Sequence, residues 1–445
     1  MEIRICFLPR SVGFDFRASD FLKISMEPKE VHQQKIFYGW SITGLVFLNL
    51  GTAYGAQYSF GVLFPAMIEE FKWNRQNLAG AFSLYTFLYG SLGIILGRWV
   101  DRFGPRVVLT AGSVCLGLGI GMISQVRAPW HLYLVYGFLA AWGMSATYMT
   151  ANPTIVKWFV EKRGLALGVA QSGLGVGIVL IPPLAGALIS SFGWRHACMI
   201  LGALVFAVLF TTSLFMVGHP EKIGLLPDGK RANGPDAPGK KSLANIFDEV
   251  SWSTAEAIHT RSFWVLTVIF FFTWLLVFLP LVHLVIFARD IGLSQKSALL
   301  ALSFLGGSST AGRLTMGYVS DRIGRKRTLG LNLALQVFSW LWIMGTHNAW
   351  MLIVFAVFFG FSYGGVSAVF PSIVGDYFGR LKAASVIGAI FAISGVSAAF
   401  GPWVGGYIYD LTHTYTFAFL LGALTNVLAL LLLFFSKPPV KIVRP

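Results

Sequence analysis

Arg313 stands alone in a long apolar run, between Gly312 and Leu314. It lies eight positions before Asp321, about 12 Å along a helix at ~1.5 Å per residue. Holding a charge that deep in a bilayer costs at least about 2.5 kcal/mol, so the side chain must face a polar interior and meet a partner there. A guanidinium presents a planar fork that matches the two oxygens of a carboxylate. No Asp or Glu falls at the same depth. Two readings stay open: the arginine binds an incoming organic anion, or it is a structural cation satisfied by a carbonyl or an internal acid.

Other polar residues interrupt the apolar runs. His283 has an imidazole that titrates near neutral pH and is a candidate proton carrier; the competing reading is a neutral ring bonded to a backbone carbonyl. Asp290, further out, is its candidate companion. Tyr148 and Asn152 are one turn apart and share a helix face, where they either meet a polar solute or tie helix to helix. Tyr58 is a candidate for the same space, and Phe391 a candidate apolar wall. The eight histidines and the three cysteines, Cys6, Cys115 and Cys198, show no metal-ligand spacing. No metal, cofactor or catalytic residue is expected, and a membrane enzyme is disfavoured.

The elements that carry these residues are apolar segments. Hydrophobic residues make up 56% of 445 positions and charged residues 12%, against roughly a quarter charged in soluble domains. Runs of about 20 apolar residues, the length that crosses a bilayer, recur at 38–67, 76–98, 105–126, 129–158, 163–190, 194–217, 262–288, 295–319, 326–346, 349–377, 382–409 and 413–436. The expected fold is all-α, a bundle of twelve transmembrane helices. Lys72, Arg75, Arg127, Arg195, Arg289 and Lys296 fall on one side, and the other basic residues, Arg313 apart, fall on the opposite side. Positive charge marks cytoplasmic loops, so both termini are expected in the cytoplasm. The net charge of +15 then reflects topology and not a nucleic-acid partner. A polar stretch rich in Pro and Gly divides the chain into an N-terminal tail (1–36), a six-helix bundle (37–217), a linker (218–260) with a short surface helix within 243–258, a second six-helix bundle (261–437) and a C-terminal tail (438–445). No pore loop indicates a channel, and the linker is too small for the signalling domain of a membrane sensor.

The two halves repeat. The loop after the second segment reads Gly97-x-x-x-Asp101-Arg102-x-Gly104-x-Arg106, and the loop after the eighth reads Gly317-x-x-x-Asp321-Arg322-x-Gly324-Arg325. Trp158-Phe159 with Arg163 closes the fourth segment, and Tyr377-Phe378 with Arg380 closes the tenth. Equivalent loops on a six-plus-six plan mark two halves related by a pseudo-two-fold axis. The charged residues of the two copies are Asp101, Arg102 and Arg106 and Asp321, Arg322 and Arg325; such clusters at helix ends can clamp neighbouring helices together. Glycines crowd the fifth and eleventh segments, where small residues let helices approach closely.

This paired loop resembles the signature of the major facilitator superfamily. Narrower features add to it: Tyr38-Gly39-Trp40, Phe71-x-Trp73-x-Arg75, Trp158-Phe159-x-x-Lys162-Arg163-Gly164, Gly193-Trp194-Arg195, His283-Leu284-Val285, Ala288-Arg289-Asp290-x-Gly292 and Gly406-Tyr407-Ile408-Tyr409-Asp410. Together they resemble the monocarboxylate porter and oxalate/formate antiporter branch, especially its bacterial members, over about residues 37–437. The resemblance implies a secondary carrier of lactate, pyruvate or similar small monocarboxylates by alternating access, with a proton, in a bacterial inner membrane and as a monomer. It implies that Arg313 holds the substrate carboxylate, that Tyr148 and Asn152 line the cavity, and that the charged residues of the paired loops gate it. Eukaryotic members carry an aspartate one turn before that arginine and a lysine on the first helix. Here those positions hold Ser309 and Tyr58 or Gln57, so their coupling scheme does not transfer. The lysine that oxalate exchangers place midway along the eleventh helix is matched only by Lys382 at its entrance, and one deep cation suits one carboxylate.

Overall fold

A computed structural model describes residues 37–159, 163–225, 228, 252–379 and 383–439. The described residues form helices and no strands. In chain order the helices are α1 (Tyr38–Phe71), α2 (Arg75–Ser91), α3 (Gly93–Phe103), α4 (Pro105–Gly121), α5 (Pro129–Leu132), a π-helical stretch (Tyr133–Ala140), α6 (Ala141–Trp158) and α7 (Arg163–Leu214). After the linker come α8 (Thr254–Ile258), α9 (Arg261–Leu275), α10 (Leu279–Asp290), α11 (Gln295–Ile323), α12 (Arg325–Met344), α13 (Ala349–Phe378), α14 (Ala383–Thr412) and α15 (Thr416–Phe434).

Among the described residues, six stretches are long and apolar enough to cross a membrane: Pro105–Gln125, Leu165–Leu214, Arg261–Asp290, Ala349–Phe378, Val386–Thr412 and Thr416–Phe434. The second runs 50 residues, more than twice a bilayer's ~20, and Gly193 (φ 78°) breaks it into two helices. α1 has 34 residues, about 51 Å at ~1.5 Å each. Its polar content, with Glu69 and Glu70 at one end, is what lowers its apolarity. Large side chains such as Leu48, Leu118, Leu180, Leu331 and Leu424 are exposed around the bundle, as lipid contact demands. Many hydroxyls inside are satisfied along their own helices, as Thr43 donates to the Gly39 carbonyl and Ser59 to that of Gly55. The protein is an all-α, multi-pass integral membrane protein.

The breaks have local causes. Pro280 sits at the start of α10, and its missing N–H interrupts the run between Leu275 and Leu279. In both loop copies the motif glycine separates two helices, Gly104 at φ 84° and Gly324 at φ 93°, a conformation side chains with a Cβ resist. The same residue type thus makes the same turn in each copy. The short linker helix is α8, at one end of the expected 243–258; the segment before Trp252 lies outside the described residues.

α1 packs along α7, α11 along α13, α4 against α6 and α7, and α12 against α13 and α15. Elements before and after the linker meet along α2–α14, α7–α11 and α1–α10. The most deeply buried large side chains include Tyr58, Phe60, Phe64, Phe82, Tyr85 and Tyr136, all on α1, α2 and the π-helical stretch.

Candidate functional site

Arg313 is carried by α11. Gly312 brings that helix against α13 so closely that a Cβ there would run into the Phe361 carbonyl. This contact seats Tyr363 of α13 beside the arginine, its ring centroid 5.4 Å from the guanidinium carbon. Arg313 Nη1 donates to Ser309 Oγ at 3.1 Å, and Ser309 Oγ donates onward to the Gly306 carbonyl. The side chain is half-buried. Among the described residues no carboxylate pairs with it. Ser309, one turn before the arginine, is thus its hydrogen-bond partner.

Tyrosines surround this group. The Tyr363 hydroxyl lies 3.4 Å from that of Tyr58 on α1, longer than an ordinary O–H···O bond. One turn earlier on α1, Tyr54 pairs hydroxyl to hydroxyl with Tyr89 of α2 at 3.0 Å. The Tyr89 ring meets that of Tyr148 on α6 edge to face at 5.9 Å. Tyr58 and Tyr148 therefore join one aromatic cluster with Arg313. Asn152 accepts a 2.7 Å bond from Gln171 Nε2 of α7, so this amide ties helix to helix. Phe391 lies in a different aromatic group, against Trp274 at 5.3 Å and Phe370 at 6.5 Å.

A second constellation sits where the chain turns at 72–74, 291–294 and 413–415. Lys72 (φ 54°) ends α1, and α2 begins with no cap from its own Asn74. Its free N–H groups at Arg75 and Gln76 donate instead to the two oxygens of Asp410 of α14, at 3.2 and 2.9 Å. A carboxylate is favoured at a helix start. The Arg75 guanidinium then reaches both oxygens of Asp290 at 2.5 and 2.7 Å, donates to the Tyr415 hydroxyl at 3.0 Å and lies 3.6 Å over the Tyr409 ring. Arg289 pairs with Glu69 at 2.8 Å. Each bond joins a helix before the linker to one after it. Arg195 and Trp194 hold Glu70 on the same end.

His283 is 1% exposed and touches this constellation. Its Nε2 lies 3.0 Å from the Pro402 carbonyl and its Nδ1 2.8 Å from the Tyr415 hydroxyl. A carbonyl only accepts, so Nε2 carries a proton and Nδ1 accepts from Tyr415. Tyr415 in turn accepts from Arg75. Donors and acceptors close with a neutral ring, and the chain His283–Tyr415–Arg75 ends on Asp290. The two residues are companions through intermediaries.

The opposite end differs. In the second loop copy Arg325 pairs with Asp321 and reaches Asp376 of α13 at 3.6 Å, while Arg322 lies over the Tyr318 ring. In the first copy Arg102 and Arg106 are exposed and form no ion pair with described residues, and nothing is described of the Asp101 side chain. Tyr38 bonds the Phe215 carbonyl, Trp158 that of Val217 and Lys326 that of Ser436. Between described residues, no hydrogen bond or ion pair at this end joins the helices before the linker to those after it. Lys382 lies outside the described residues.

Sequence reasoning missed Arg75, Tyr415, Tyr363 and Asp410 as site residues. Arg75 and Asp410 stand in the motifs that carried the resemblance; nothing in the sequence announced the two tyrosines.

Apolar helices, ion pairs that cross the bundle at one end, and an unpaired arginine among tyrosines make up the architecture of a membrane solute carrier. The chain belongs to the Major Facilitator Superfamily, whose family model matches residues 46–315 and 277–445, a family of transporters and not of enzymes. It is similar to rat monocarboxylate transporter 4, 28% identical over 89% of this chain and 83% of the relative. It is similar also to human monocarboxylate transporter 11, 28% identical over 93% and 86%, and to the oxalate:formate antiporter of Oxalobacter formigenes, 28% identical over 90% and 91%. The fold matches a bacterial homologue of the human lysosomal transporter Spinster in an inward-facing, occupied conformation, with a TM-score of 0.68 at 16% identity, covering 90% of this chain and 97% of that one.

Proposed function

We propose that this protein carries a small monocarboxylate of the lactate or pyruvate type across a bacterial inner membrane, with a proton, as a monomer of twelve helices. Arg313 receives the carboxylate. The observation that carries this reading is the guanidinium itself, half-buried, held by Ser309 and faced by Tyr363, with no acid paired to it among the described residues. Two relatives named for monocarboxylate transport and a third named for oxalate and formate support the substrate class.

Alternating access follows from the asymmetry of the two ends. Two six-helix halves, 37–217 and 261–437, rock about the site. The Arg75–Asp290 and Arg289–Glu69 pairs close the outer end; both termini lie on the cytoplasmic side, where the paired loops open and close the path. The coupling proton enters at His283. Protonating Nδ1 removes the acceptor of the Tyr415 hydroxyl and turns that hydroxyl away, which loosens the hold on Arg75 and lets the outer end part. Asp290, the acid that holds Arg75, is the companion of His283 at the outer end.

The test is uptake of radiolabelled lactate into proteoliposomes with and without an inward proton gradient. Gradient-driven accumulation supports the symport reading. Rapid swap of preloaded anion without accumulation supports an exchanger of the oxalate/formate type, the second reading, which the Oxalobacter relative favours. Absence of any carboxylate flux refutes both.

A further inference from the structure

Gln57 is 1% exposed on α1, and neither its Nε2 nor its Oε1 has a hydrogen-bond partner. Among the described residues it is the one amide with both side-chain polar atoms fully buried and unpartnered: Asn332 and Asn426 each donate to a carbonyl of their own helix, and Gln336 leaves only its Oε1 in that state. Two further buried polar atoms share this condition nearby, the Tyr85 hydroxyl and Ser145 Oγ.

Helix register brings Gln57 and Tyr85 together. The Tyr54–Tyr89 and Phe60–Phe82 contacts fix α1 and α2 as antiparallel neighbours. Moving three residues up α1 from Tyr54 reaches Gln57, and moving four residues back along α2 from Tyr89 reaches Tyr85. Tyr136 confirms the level, since its hydroxyl donates to the Gln57 carbonyl and its ring stacks on Tyr85 at 4.7 Å. Ser145 stands one turn before Tyr148 on α6. Of the surrounding tyrosines, Tyr54 bonds Tyr89 at 3.0 Å and Tyr58 faces Tyr363 at 3.4 Å. Gln57 is the unmatched group beside them. Tyr85 adjoins Tyr89 at 6.4 Å, and Tyr89 meets Tyr148 of the cluster around Arg313, so a run of tyrosines leads from the level of the amide towards the guanidinium.

An amide that keeps a donor and an acceptor free, in a neutral surround, is chemistry for an uncharged oxygen and not for a second carboxylate. We propose that Gln57 determines specificity by hydrogen-bonding a hydroxyl or carbonyl oxygen of the substrate, away from the carboxylate that Arg313 holds, with Tyr85 beside it. This rests on the monocarboxylate reading above. The carrier then selects hydroxy and oxo acids over plain fatty acids of equal length.

The experiment compares initial uptake of lactate with propionate, and of 3-hydroxybutyrate with butyrate, in proteoliposomes of the full-length protein. In the wild type the hydroxylated acid of at least one pair has a KM about fivefold or more below its plain counterpart. Gln57→Leu brings that ratio to about one by raising the KM of the hydroxylated acid, with plain-acid uptake retained as the control for folding. Tyr85→Phe, which removes one oxygen, gives a smaller shift in the same direction. A ratio that Gln57→Leu leaves intact, or a wild-type ratio near one in both pairs, overturns the proposal and leaves water as the partner of the amide. Wild-type protein that carries none of the four acids overturns the monocarboxylate reading itself, and this proposal with it.

Discussion

Arg75 and Asp290 meet through two hydrogen bonds, 2.5 and 2.7 Å, across the bundle. The arginine comes from the start of α2 and the acid from the end of α10, so the pair ties together helices that must part if this end is to open. Exposed ion pairs contribute little, about 0–1 kcal/mol, but the Arg75 and Asp290 side chains are only 11% and 26% exposed and their geometry is bidentate.

Asp290→Asn keeps the size of the side chain and removes its charge. The expected result is a larger population open at that end, measured as a longer distance between spin labels at Lys72 and His413. A distribution unchanged from wild type contradicts the latch.

His283→Gln keeps a donor for the Pro402 carbonyl and removes the titratable nitrogen. On the proposed proton route through His283, wild-type uptake rises as external pH falls, since protonating Nδ1 takes the acceptor away from the Tyr415 hydroxyl. The variant is expected to transport with a flattened pH profile, read from uptake rates between about pH 5 and 8. A wild-type profile in the variant removes His283 from the proton path.

Gly312→Val places a Cβ against the Phe361 carbonyl. Overpacking of this kind costs about 1–3 kcal/mol and pushes α11 away from α13. The expected outcome is a lower melting temperature in detergent together with weaker substrate affinity, since the same contact sets Tyr363 beside Arg313. Unaltered affinity contradicts the positioning role.

Much of this arrangement was legible in the sequence for physical reasons. Charge is so costly in an apolar run that Arg313 marked itself, and Gly104 and Gly324 repeated because each makes the same turn. Whether Asn152 meets a solute or another helix is open in the sequence, and the structure adds its bond to Gln171. What the sequence concealed is lateral: Arg75 with Asp290, Tyr54 with Tyr89 and Tyr58 with Tyr363 join helices far apart in the chain, and hydrophobic runs carry no signal of which helix lies beside which. The orphaned amide of Gln57 was equally hidden, because a missing partner is visible only once all neighbours are placed. Phe391 is a candidate apolar wall in the sequence, and its ring lies against Trp274 and Phe370.

Uptake of lactate by Arg313→Ala and Arg313→Lys proteoliposomes tests the account most directly. Loss of a bidentate charge-assisted contact worth about 3 kcal/mol lowers affinity on the order of a hundredfold, so the alanine variant is expected to reach the membrane and carry no measurable lactate. The lysine variant, which keeps the charge and loses the fork, is expected to retain weak transport. Wild-type uptake by Arg313→Ala would contradict the assignment of the carboxylate to this residue.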